Sequence, residues 1–231
     1  MGQAILPGDP PIEISLRRTG RARRISLRVS RLDGRVTLSL PDHTPTSEAL
    51  AFARAKEDWL RRMLAGQVAP ERPRIGGTIP VEGQPLPILA GPGRRVSLTA
   101  EGLVLPDEPE RVGIRIAAWL KLLARDRLAA ASDRHAAALG RRYTGLTLRD
   151  TRSRWGSCAP DGRLMYSWRL VMAPPEVLDY VAAHEVAHLA EMNHSPAFWS
   201  VVAQLFPDHK RQRAWLKQNG QHLHRWQFTA P

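Results

Sequence analysis

The residues in this chain whose types and spacing can do chemistry are His184-Glu185-Val186-Ala187-His188, with His194 after five more positions. Residues four apart share one face of an α-helix, so His184 and His188 can present two imidazoles to a single metal ion. Glu185 stands about a third of a turn round from His184, within reach of a water on that ion without being a ligand. Asn193 tolerates the left-handed conformation that closes a helix, and Ser195-Pro196 has the form of a cap and first position of the next one. His194 is therefore expected on a bend between two helices, where the chain can fold back and supply a third ligand. Three imidazoles with one position open suit a catalytic zinc, which lowers the pKa of its bound water to about 7. Glu185 is then the expected general base, taking a proton from that water and returning it to the leaving amine of a cleaved peptide bond. If instead no metal were held, a glutamate beside two half-buried histidines would cost free energy.

The elements that must position these residues can be read from periodicity. Residues 12–16, 25–29 and 36–40 alternate apolar and polar side chains, as half-exposed strands do, and Asp33-Gly34 is a hairpin signal between the last two. A helix capped by Thr46 or Ser47 is expected to reach about Leu64, followed by a linker over 66–73. Residues 75–105 are punctuated by Gly and Pro and suggest a second group of short strands. A long helix over 108–139 carries Val112, Ile116, Trp119, Leu120, Leu123 and Leu128 as its apolar stripe, and Gly140 ends it. A strand at 146–152, a turn at 156–162 and a returning strand at 164–172 are expected to form a hairpin. Pro174-Pro175 then starts the histidine-bearing helix, expected over 175–192. A helix at 195–206 and another capped by Asp208 and reaching Asn219-Gly220 complete the pattern. The fold class expected is α+β, with a mostly β module containing one helix over 1–105 and the catalytic part over 106–231.

Composition bounds the remaining choices. The 231 residues are 43% hydrophobic and 24% charged, as in an ordinary globular protein, and no apolar run has the length of a membrane span. The first residues lack a basic start and are broken by Pro7 and Asp9, and Leu6 stands where a myristoylation signal has Ser or Thr. A cytoplasmic location is expected, with no membrane partner. The single cysteine, Cys158, excludes an intramolecular disulfide. It is read as a small buried hydrophobe rather than a nucleophile or ligand. The net charge of +12 makes nucleic acid a candidate partner, yet each half of the chain holds six of the excess charges, so there is no basic tail. The densest run is Arg17, Arg18, Arg21, Arg23, Arg24, Arg28, Arg31 and Arg35, which also suits the solvated face of a sheet.

Four separated blocks carry a family likeness. Arg154-Trp155-Gly156-Ser157-Cys158 comes first, then Ser167-Trp168-Arg169-Leu170-Val171 with Ala173-Pro174. Tyr180-Val181 precedes the His184 to His188 motif, and Asn193-His194-Ser195 precedes Phe198-Trp199. In that order and spacing the chain resembles the YgjP-type zinc metallopeptidases, which are related to the SprT-like proteases. A weaker likeness covers Arg24 to Val29, Asp33-Gly34 and Lys56-Glu57-Asp58-Trp59. The resemblance implies a zincin-like, minimal gluzincin core, with zinc held by His184, His188 and His194 and Glu185 as the base. Ser167 and His209 depart from it, since many members have Asn and an aromatic residue at those places.

A protein or peptide is the substrate that follows, lying extended along a sheet edge, for which the 164–172 strand is the expected place. Tyr166, Arg154 and His209 are candidates for stabilising the oxyanion. A nucleic-acid-associated metalloprotein, in the manner of a SprT-like protease acting on DNA-bound proteins, is the rival reading. A metal-dependent nuclease with the same histidine spacing is a third, against which Glu185 argues. Metzincins have Gly where Glu191 stands, so the helix here is expected to run further before it turns.

Overall fold

Alternating strands in the first part of the chain form a four-stranded sheet. The computed structural model describes residues 2–30, 34–66 and 69–229, in two compact units, 1–69 and 70–231. In the first unit β1 (Gly2–Leu6), β2 (Ile12–Arg18), β3 (Ser26–Val29) and β4 (Val36–Leu40) lie in the order β1-β2-β4-β3, with β2 and β4 parallel. Their inward residues Leu6, Ile14, Leu38 and Leu40 are buried with Ala49, Ala53 and Leu60 from two helices, α1 (Thr46–Ala55) and α2 (Glu57–Ala65). Strand β1 escapes the sequence reading. The single helix expected over 46–64 is broken at Lys56, whose φ of −111° and ψ of 15° lie outside helical geometry. Nothing in the sequence marks that break, because lysine is a good helix former. Asp33 of the expected hairpin turn lies outside the described residues, while Gly34 has the positive φ of 69° that such a turn needs.

The boundary between units falls at 69/70, inside the Gly/Pro-rich linker, and not at the expected 105/106. The strands β5 (Thr78–Val81), β6 (Gln84–Ala90), β7 (Ser97–Leu98) and β8 (Leu103–Leu105) form a sheet ordered β5-β6-β8-β7. Their buried Ile79, Val81, Ile88, Leu103 and Leu105 join the core of the later helices rather than that of β1–β4. Glu71 is also tied to the C-terminus: its N–H donates to the Arg225 carbonyl at 2.9 Å, and its carbonyl accepts from Gln227 at 2.8 Å.

The helix α3 (Val112–Leu139) runs through this second core on Val112, Ile116, Leu120 and Leu128, and Gly140 closes it in the left-handed region at φ 63°. Three strands follow, β9 (Gly145–Arg149), β10 (Gly156–Cys158) and β11 (Arg163–Ser167), in the order β10-β11-β9. Two expectations are corrected here. The segment 164–172 is a strand only as far as Ser167, and Trp168–Met172 is a 3₁₀ turn. The antiparallel partner of β11 is β10, in the stretch expected to be a turn, whereas β9 pairs with β11 in parallel. The remaining helices are α4 (Pro175–Ala187), α5 (Pro196–Leu205) and α6 (His209–His224). The whole is α+β, and no helix among the described residues is long and apolar enough to cross a membrane.

Arg169, in the 3₁₀ turn, is the buried polar anchor of this unit. Its Nη1 donates to the carbonyls of Leu223 and Trp226, both at 2.9 Å, and its Nε donates to Asp150 Oδ1 at 2.6 Å. Arg169→Leu strands two carbonyls and a carboxylate, and is expected to cost about 3 kcal/mol in denaturant titrations. Burial alone would raise the pKa of Asp150, but the hydrogen bond and charge of Arg169 outweigh it and hold the carboxyl below its ordinary value. The stabilisation from this pair is therefore full above the unfolded carboxylate pKa of about 3.9 and fades as pH falls through the lowered folded value. Thermal unfolding should show the wild type losing its advantage over Asp150→Asn on acidification below about pH 4, and an unchanged gap would exclude the pair as its source.

Candidate metal centre

Pro174 and Pro175 are suited to a helix start, and Val177, Leu178, Val181 and Val186 fix α4 in the core by their burial. The helix ends at Ala187 and not near 192, with His188 as its C-cap in helical geometry. Leu189 and Ala190 donate to the carbonyls of Val186 and Ala187 at 2.9 and 3.0 Å, the tightened bonds of a closing turn. Among the described residues only Glu82 is a non-glycine with positive φ, so Asn193 does not close the helix in the left-handed way expected. Ser195 does cap α5: its Oγ accepts from the Phe198 N–H at 3.3 Å, with Pro196 in the first turn. The early end of α4 and the capped start of α5 leave His194 on the bend between them.

That bend brings the three histidines together. Each of His184, His188 and His194 offers a ring nitrogen within 4.8 Å of the other two. The Nε2 atoms of His184 and His194 are 3.1 Å apart. Phe198, fully buried on α5, is the common floor: its ring centroid lies 4.4 Å from that of His188, in a stack, and 4.9 and 4.8 Å from those of His184 and His194. His188 Nδ1 faces the Glu191 carbonyl at 3.0 Å, an acceptor only, so Nδ1 carries the proton and Nε2 keeps its lone pair. Burial, with the neighbouring His188, His194 and Arg213 charges, pushes His184 down to about 3, and burial also lowers His188. Both rings are therefore neutral near pH 7.

Glu185 lies 5% exposed beside them, and burial pushes it up to about 8 against the charge of Arg154. Gly156 on β10 is what lets it in. A Cβ at Gly156 would stand 2.5 Å from Glu185 Oε1, so the strand backbone runs directly against the carboxyl. This residue was missed from the sequence, although a glycine inside a strand is the usual mark of such an approach. On this side a cleft of about 360 Å³ opens past Glu185 and His184, walled by Arg154, Trp155, Tyr180, Arg213 and Lys217. Of the expected oxyanion candidates, Arg154 lines that cleft. Tyr166 is fully buried with its hydroxyl 3.0 Å from Ser132 Oγ, and His209 is buried in a stack with Trp199. Cys158 is half-buried, its thiol pushed up to about 11 by burial, and it is not among the clustered ligand atoms.

The family model for the YgjP-like metallopeptidase domain matches residues 23–219. The chain belongs to the YgjP-like metallopeptidases. No curated protein matches it. Among solved structures it is similar to the crystal structure of the metallopeptidase zymogen of Pyrococcus abyssi abylysin. That likeness has 21% identity and a TM-score of 0.36, over 39% of this chain and 93% of that one, and is too slight to carry an argument.

Membership of the YgjP-like metallopeptidases implies a metal ion, and the histidines fit one. Two nitrogens on a tetrahedral zinc are about 3.3 Å apart, close to the spacing of the His184 and His194 Nε2 atoms. Nitrogen is a donor type that such an ion takes, and the His184 and His188 rings are neutral, as ligands must be. His184 Nδ1 is buried without a hydrogen-bond partner among the described residues, so Nε2 is this ring's polar attachment.

In this metallopeptidase Gly156→Ala would push a methyl group into the Glu185 carboxyl while leaving the histidines untouched. Metal content by mass spectrometry is expected to stay at the wild-type level while peptide hydrolysis falls at least about tenfold. Full activity in that variant would show that β10 does not set the position of Glu185.

Proposed function

We propose that this metallopeptidase is a zinc-dependent enzyme of the HExxH type, built on a zincin-like, minimal gluzincin core. His184, His188 and His194 hold the ion and Glu185 is the general base. The observation that carries this reading is the convergence of three imidazoles next to a buried glutamate, with a cleft opening on that side. When bound, zinc supplies Lewis acidity to an attacking water and to the peptide carbonyl. The charge of a bound cation would favour the ionised form of Glu185, whose carboxylate oxygen then accepts the proton of the attacking water and later delivers it to the nitrogen of the leaving amine. Gly156 holds the carboxyl in place, and Phe198 holds the rings.

A protein or peptide substrate lies along β10. This replaces the 164–172 strand as the docking edge, because β11 is paired on both sides whereas β10 is the outer strand of its sheet. An extended chain added there gains backbone hydrogen bonds and passes over Glu185.

Glu185→Gln should keep its zinc and lose at least about a hundredfold in hydrolysis, since general-base catalysis is worth that much or more. His184→Ala, His188→Ala and His194→Ala should each lose the metal, measured as zinc per chain after dialysis. Retention of near-stoichiometric zinc by His194→Ala would remove that residue from the ligand set. Continued cleavage by Glu185→Gln would remove Glu185 as the base.

A further inference from the structure

We infer that the cleft on the Glu185 side of the site binds a carboxylate of the substrate peptide, with Arg154, Arg213 and Lys217 as its cationic wall. The inference rests on the peptidase reading above, whose substrate class it names. Arg154 comes from the segment before β10, while Arg213 and Lys217 stand four apart on α6 and so project from one face of that helix. Among the described residues, the only carboxylate lining the cleft is that of Glu185, which is buried.

The arginines of the cleft differ from the ion-paired arginines of the same unit. Arg115, Arg127, Arg134, Arg163, Arg169 and Arg225 each form an ion pair with an aspartate or glutamate. Arg154 and Arg213 form none among the described residues. Arg213 is instead held with its guanidinium 4.8 Å from the Trp199 ring centroid, a stack that fixes the side chain and leaves its donors to the cleft. The cleft also has low-dielectric walls in Trp155 and Leu216, which concentrate the field of the three cations on whatever enters.

A carboxylate is the anion that fits this place. The cleft adjoins β10, where an extended peptide lies, and its volume of about 360 Å³ takes a side chain or a chain terminus. Single-stranded nucleic acid would call for a basic track with aromatic rings spaced along it, whereas these three cations meet in one concavity.

The test uses the full chain carrying Glu185→Gln and loaded with zinc, so that binding is read without turnover. Four fluorescently labelled ligands of equal length are titrated by anisotropy. They are a glutamate-rich peptide with an amidated C-terminus, a glutamine-rich peptide with a free C-terminus, a glutamine-rich amidated peptide, and oligothymidylate. One of the carboxylate-bearing peptides is expected to bind about tenfold more tightly than the neutral one. Which of the two does so tells a side-chain carboxylate from a terminal one. Adding Arg213→Glu and Lys217→Glu should abolish the advantage, as should Arg154→Gln on the other wall. Lys210→Glu, the same kind of charge change on α6 outside the cleft, should preserve it. Equal binding of all three peptides, persistence of the advantage in both cleft variants, or tighter binding of oligothymidylate would overturn the inference.

Wild-type turnover separates this from the reading beneath it. Hydrolysis of neutral and acidic peptides at equal kcat/KM removes the carboxylate preference and leaves the peptidase standing. A carboxylate advantage in binding, lost in the cleft variants but with no peptide cut, keeps the cleft and removes the peptidase.

Discussion

Three imidazoles that share one phenyl ring are the constraint on which the rest of the site depends. Ring nitrogens have little reason to converge, since lone pairs aimed at one point repel. Phe198 supplies the reason: it is fully buried and contacts all three rings. Packing against one buried ring lowers the entropy cost of gathering the histidines. The position of Phe198 depends in turn on Ser195, whose hydroxyl caps the Phe198 N–H and fixes the first turn of α5.

The early end of α4 serves the same arrangement. Had the helix continued to 192, the chain would have been carried about 7 Å further along its axis, at 1.5 Å per residue, before it could turn back. Ending at Ala187 places the bend next to His188 and lets the Glu191 carbonyl return to the Nδ1 of that ring. A backbone acceptor from the bend therefore sets the tautomer of a helix residue. The loop and the helix are parts of one device, and shortening or lengthening the bend would alter the ring as well as the position of His194.

What could be read from the sequence follows the same division between local and distant. The Ser195-Pro196 start and the Gly140 stop are local signals, and each stands where it was expected. The spacing of His184 and His188 is local as well, and the approach of their rings to that of His194 was legible for that reason. The pairing of β10 with β11, the membership of β5–β8 in the second core and the contact between Gly156 and Glu185 join segments far apart in the chain. A short strand such as Gly156-Ser157-Cys158 is too brief to show a period, and its Gly read more readily as a turn. Asn193 misled in the opposite sense: a residue able to adopt the left-handed conformation was present, but 3₁₀-type bonds closed the helix first. The basic wall of the cleft was invisible because which face of α6 meets Arg154 is decided only by packing, including the close approach of Gly220 to Trp155.

The contact between Gly156 and Glu185 has a consequence for how the reaction is aligned. In many sites a general base is positioned by hydrogen bonds to its side chain, and the substrate is positioned separately. In the proposed reaction, the strand offered as the docking edge for a peptide is also the surface against which the Glu185 carboxyl rests. The distance from the proposed base to the scissile bond would then be set through one piece of backbone, since a peptide hydrogen-bonded to β10 and a carboxyl packed on β10 share a reference. A side chain at position 156 would separate the two, and glycine is the residue that adds nothing between them. On this proposal, sequence variation elsewhere in the cleft would change which peptide is held without moving Glu185, because Arg154, Arg213 and Lys217 stand on the walls and not on the strand.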